Sequence, residues 1–109
     1  MSATYNITIN QNSDFIRSFQ VKESNVILDI TGYTFTATTK EATYSTTKVN
    51  FVTAITDGPA GVFTVSLTDA VTAAMDPGTW VYDVLMTDTA GKVTRMLQGN
   101  AFVNQGVTL

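Results

Sequence analysis

The feature that most constrains this chain is a period-two alternation of apolar and polar side chains that recurs from Tyr5 to Val103. That period matches an extended strand with one buried face and does not match a helix. It begins with Tyr5, Ile7 and Ile9 against Asn6, Thr8 and Asn10, a half-buried strand. After the polar turn Gln11-Asn12-Ser13-Asp14, a second strand sets Phe15, Arg17, Phe19 and Val21 against Ile16, Ser18 and Gln20. Val26-Ile27-Leu28-Asp29-Ile30 is a short apolar stretch that ends at the turn signal Thr31-Gly32. Tyr33-Thr34-Phe35-Thr36-Ala37-Thr38-Thr39 then reads as a sandwich strand with one wet face. Residues 40–47 are polar and aperiodic and read as the longest loop.

In the second half, Val49, Phe51, Thr53 and Ile55 alternate without a break up to Asp57-Gly58-Pro59-Ala60-Gly61, which predicts one strand. A strand over residues 62–67 follows, with Phe63, Val65 and Leu67 on one side, and the short turn makes the two a hairpin. Only residues 68–75 leave the β rhythm: helix formers follow Thr68 as N-cap, and Pro77-Gly78 stops them. About two helical turns are expected there, crossing one open end of the sandwich with Val71 and Met75 plugging the core. The last hairpin joins residues 79–87 to 92–103 through Asp88-Thr89-Ala90-Gly91, a turn that needs positive φ at Gly91. Trp80, Tyr82, Val84 and Met86 share one face of its first strand and read as core. Gly99 within the return strand marks a bulge or a close backbone approach. With no repeat, linker or low-complexity tract, residues 1–109 read as one domain, an antiparallel sandwich whose strand order local pattern leaves open.

Composition narrows the function classes. Hydrophobic residues make up 44% and charged residues 14%, so the chain can fold, and a domain of 109 residues buries roughly two thirds of the surface it exposes when unfolded. Cysteine and histidine are both absent. That removes disulfides, thiolate zinc sites and thiol nucleophiles, together with the usual general base and the commonest metal ligand. A serine nucleophile would need a lysine or terminal amine as base, and no Ser-x-x-Lys spacing lies beside a Gly-rich turn. Catalytic, cofactor-binding and metal-binding residues are therefore all read as none, and no small-molecule substrate is expected. The formal net charge is −3, and the six basic residues (Arg17, Lys22, Lys40, Lys48, Lys92 and Arg95) are scattered along the sequence, a poor footprint for nucleic acid. No basic-then-apolar leader and no stretch near 20 apolar residues are present, so export by a cleaved signal and membrane insertion are not expected.

Carboxylates at Asp57, Asp69, Asp76 and Asp88 fall singly at turns, where an aspartate bonds its own backbone, and closely spaced calcium ligands are not seen. Asp83 interrupts a strong strand and reads as a cross-strand partner of Lys92 or Arg95. Few charges guard the strand edges, and the N-terminal segment, with Tyr5, Ile7 and Ile9, is the candidate for pairing with another chain. On that reading, deletion of residues 1–10 abolishes assembly and leaves a folded monomer, whereas an unfolded product would assign the strand to the core.

Several segments resemble the N-terminal domain of the bacteriophage baseplate upper protein family. They are Ile7-Thr8-Ile9-Asn10-Gln11-Asn12-Ser13-Asp14-Phe15, Leu28-Asp29-Ile30-Thr31-Gly32-Tyr33-Thr34-Phe35, Gly61-Val62-Phe63-Thr64-Val65-Ser66-Leu67-Thr68, residues 73–84 and residues 88–95. The resemblance implies an immunoglobulin-like β-sandwich with one short helix, no catalytic residues, and a structural role in a tailed-phage virion. The protein would be made in the host cytoplasm, contact other virion proteins and form a homo-oligomer. Because the sequence stops at Leu109 with no fibre segment, the resemblance implies a free-standing tail or baseplate adaptor. Capsid decoration is the alternative within that class. A host-surface or glycan-binding module is the alternative outside it, favoured if rings at Trp80 or Tyr44 are exposed.

Overall fold

The computed structural model describes residues 3–42 and 47–106, so Tyr44 and the middle of the 40–47 loop lie outside the described residues. The elements in chain order are β1 (Ala3–Thr4), β2 (Ile7–Asn10), β3 (Phe15–Gln20), β4 (Lys22–Glu23), β5 (Val26–Ile27), β6 (Thr34–Lys40), β7 (Lys48–Asn50), β8 (Val52–Asp57), β9 (Val62–Leu67), α1 (Asp69–Ala73), β10 (Gly78–Thr87) and β11 (Val93–Asn104). The larger sheet runs β1-β11-β10-β6-β7, with β2 also on β11, and the facing sheet runs β3-β9-β8. The first strands pair with the last in parallel, and the other pairings are antiparallel. This is a two-sheet β-sandwich, with the order that local pattern left open now fixed by register.

The inner faces of the two sheets meet through apolar side chains at alternate positions. Trp80, Tyr82, Val84 and Met86 on β10 are all buried, as the period-two reading expects. Phe63 from the smaller sheet stacks on Phe35 from the larger one, with ring centroids 4.1 Å apart and an interplanar angle of 11°. Phe63 also meets Phe19 at 5.6 Å, so one ring ties β3, β9 and β6 together.

At one end of the sandwich the β3–β6 connection closes on the β8–β9 turn, where Ile30 N–H donates to the Gly58 carbonyl at 2.9 Å and Val21 N–H to that of Gly61 at 2.7 Å. Ser24 (φ 51°) and Asn25 (φ 65°) take the two left-handed positions of a type I′ turn between β4 and β5. Gly91 has φ 89°, as the turn after Asp88 requires, and the Asp88 carboxylate accepts both the Ala90 and Lys92 N–H groups at 2.9 Å.

Three expectations are corrected. First, the alternation from Val49 to Ile55 is two strands: β7 pairs with β6, the chain crosses at buried Phe51, and β8 pairs with β9 in the other sheet. Alternation survives the crossing because the inward side of one sheet becomes the inward side of the other. Second, α1 is a single short turn, and Val71 is 37% exposed while Thr72 is fully buried beside Met75. The Thr72 hydroxyl donates to the Ser13 carbonyl at 2.9 Å and accepts the Ser13 N–H at 3.3 Å, so this polar group is buried satisfied. Third, Thr68 makes no side-chain cap bond; the Asp14 carboxylate accepts the Asp69 N–H at 2.8 Å instead, capping α1 from the β2–β3 turn.

Gly99 is a close approach. A Cβ there would overlap the main-chain carbonyl of Tyr5, where the N-terminal segment passes over β11. The bulge in the last hairpin lies elsewhere, between the Val84↔Leu97 and Leu85↔Arg95 pairs. Gly99→Ala is expected to cost about 1–3 kcal/mol, as overpacking against immobile backbone does. A lowered denaturant midpoint at unchanged slope checks it.

Candidate functional site

Outward residues of the larger sheet form a depression of about 680 Å³ crossing β7, β6, β10 and β11 and reaching the N-terminal segment. Its lining includes Lys40, Lys48, Asp83, Arg95, Gln98 and Asn100. Three of the chain's six cations thus share one face that holds one of its nine carboxylates, a net charge of +2. The other three cations and eight carboxylates leave −5 on the rest of a chain whose total is −3. The basic residues are scattered in sequence, but the strand order groups half of them.

Lys40 and Lys48 are direct cross-strand partners on β6 and β7. Like charges placed opposite each other destabilise a strand pair, and among the described residues neither lysine has a carboxylate within 4 Å. Arg95 Nε lies 3.4 Å from Asp83 Oδ2, which selects Arg95 over Lys92 as the partner expected across the hairpin. Both side chains are well exposed, so the pair contributes at most about 1 kcal/mol.

Beneath this face, the Tyr82 hydroxyl donates to the Tyr5 main-chain carbonyl. Burial pushes the Tyr82 phenol up to about 12 from 10.0, with charge on the neighbouring Tyr5 phenol adding to the shift. Below pH 10 the phenol is protonated in folded and unfolded chains alike, and its contribution is fully present. Between pH 10 and about 12 only the unfolded chain releases the proton, so stability falls across that window. Urea unfolding across that window should show the decline, and Tyr82→Phe should flatten it.

No family model matches the chain, and no curated protein matches it either.

The expected edge strand is placed as follows. Ile7 and Ile9 are 2% and 0% exposed, so their side chains belong to the core. Tyr5 remains 47% exposed; its N–H donates to the Gln98 carbonyl at 2.9 Å, and its ring meets Phe19 edge-on at 5.6 Å. What β2 can offer a neighbour is main chain on the side away from β11, with Thr8 and Asn10 outward. The other edges carry guards: exposed Arg17 on β3, a register shift between Ile55 and Asp57 on β8, and Lys48 on the three-residue β7. β2 carries no charge.

The opposite face, on the smaller sheet, is uncharged over two cross-strand rows and reaches a carboxylate, Asp57, in the third, where Gln20, Val62 and Asp57 pair. Ile16, Ser66 and Val52 form one cross-strand row, and Ser18, Thr64 and Ala54 the next. Ile16 and Val52 are each 62% exposed. Trp80 is 3% exposed and donates its indole N–H to the Asp76 carbonyl at 2.9 Å.

Proposed function

We propose that this chain is a non-enzymatic structural protein of a tailed-bacteriophage virion, an adaptor in the tail or baseplate that works as a homo-oligomer through protein–protein contacts. The observation that carries the contact role is the outer face of the β3-β9-β8 sheet, where Ile16 and Val52 stand exposed on either side of Ser66 in one cross-strand row without a charge. With the cationic depression on the far side, the sandwich offers two surfaces of unlike chemistry, which an adaptor between unlike neighbours needs. The resemblance of its motifs to the baseplate upper protein family supports the tail assignment. Trp80, one of the two rings named for sugar stacking, is buried and so is not a sugar platform.

Mass spectrometry of purified phage particles, separated into heads and tails after gentle disruption, tests the reading. Recovery in tails is the expected result. Recovery in heads makes the protein a capsid decoration protein, and absence from intact particles ends the virion reading. Within the tail, Val52→Lys is expected to leave stability within about 0.5 kcal/mol and to lower incorporation, measured by comparing thermal melts with particle content.

A further inference from the structure

Among the described residues, the depression on the outer face of the larger sheet carries +2 on a chain whose total is −3. We infer that this depression binds an extended, acidic segment of a partner protein. The inference rests on the protein-contact reading above and names the chemistry of the partner.

Three observations carry it. The Lys40–Lys48 pair sets two ammonium groups on directly opposed positions, a local repulsion that a carboxylate seated between them would relieve. Arg95 stands at the opposite corner, four residues along β10 and two strands across from Lys40, because Lys40 pairs with Val81 and Arg95 with Leu85. One small anion cannot reach both corners, whereas an extended chain with carboxylates at intervals can. The floor between the corners holds Thr38, Gln98 and Asn100, donors and acceptors suited to a peptide main chain. Nucleic acid is the poorer fit: three cations give few phosphate contacts, and Tyr82, the one aromatic ring in the lining, is 5% exposed with its hydroxyl engaged.

The test is calorimetric titration of the full chain with a synthetic peptide of alternating Glu and Ser, about twelve residues long so that it crosses the face. The same peptide with Gln for Glu is the control. The acidic peptide should bind, and its affinity should fall about fivefold or more as salt rises from roughly 50 to 300 mM. The double variant K40Q/K48Q should lose about tenfold or more in affinity while melting at the same or a slightly higher temperature, since the repulsion is removed. Arg95→Gln alone should weaken binding by a smaller factor. Equal binding of the Gln peptide, or unchanged affinity in the double variant, overturns the inference. Tighter binding of a single-stranded oligonucleotide overturns it in favour of nucleic acid. Self-association that the double variant abolishes, without peptide binding, overturns it in favour of a second copy of this chain. Any of these failures would leave the particle-fractionation result standing, so the two readings fail separately.

Discussion

Removal of residues 1–10 is expected to leave a chain that no longer unfolds cooperatively. The strand β2 contributes Ile7 and Ile9, both essentially without solvent exposure, and a buried Ile truncated to Ala costs about 2–5 kcal/mol. Deletion removes both, with the β2–β11 ladder from Ile7↔Ala101 to Asn10↔Asn104 and the carbonyl that accepts the Tyr82 hydroxyl. The combined loss is comparable to the whole stability of a domain this size, about 5–15 kcal/mol. Near-ultraviolet circular dichroism and urea unfolding of the truncated chain check it; a cooperative transition with a native-like near-ultraviolet spectrum would show that the core closes without β2. The burial of these side chains also changes how edge pairing is best probed. Thr8→Lys, which places a charge on the exposed side of β2, separates assembly from folding where deletion does not.

The second large effect is at Phe63. It is 1% exposed, stacks on Phe35 across the sheet interface and touches Phe19 on the neighbouring strand, so truncation opens a cavity between two sheets that meet over a short span. Phe63→Ala is expected to cost about 3–5 kcal/mol, the range for buried aromatic truncations. At roughly 4–8 °C per kcal/mol for a small domain, the melting temperature should fall by more than about 12 °C. Phe63→Leu keeps most of the volume and should cost clearly less. Equal melts for Phe63→Ala and the parent chain would mean that the interface is not packed through this ring.

The parts of this fold legible in sequence are those with one wet face. Tyr33 to Thr39 and Trp80 to Met86 alternate because one side of each strand is buried, and β6 and β10 lie where that rhythm places them, with Gly91 supplying the left-handed turn. The split at Phe51 was hidden because a strand that changes sheets keeps its inward side inward. Thr72 was hidden because hydropathy ranks Val71 above it, while two hydrogen bonds to Ser13 make the hydroxyl the cheaper group to bury in this end cap. The cationic depression is a product of strand order. Lys40, Lys48 and Arg95 each show outward parity in their own strands, but only the β7-β6-β10-β11 arrangement puts them on one face.

The most direct test of the cationic face as a protein-contact surface in the tail is zero-length carbodiimide coupling on intact tails, followed by mass spectrometry. This chemistry joins lysine amines to carboxylates that touch them. The expected result is Lys40 or Lys48 joined to an aspartate or glutamate of a neighbouring tail protein. Tails in which both lysines stay uncoupled, or couple only within their own chain, would contradict a role for this face in assembly.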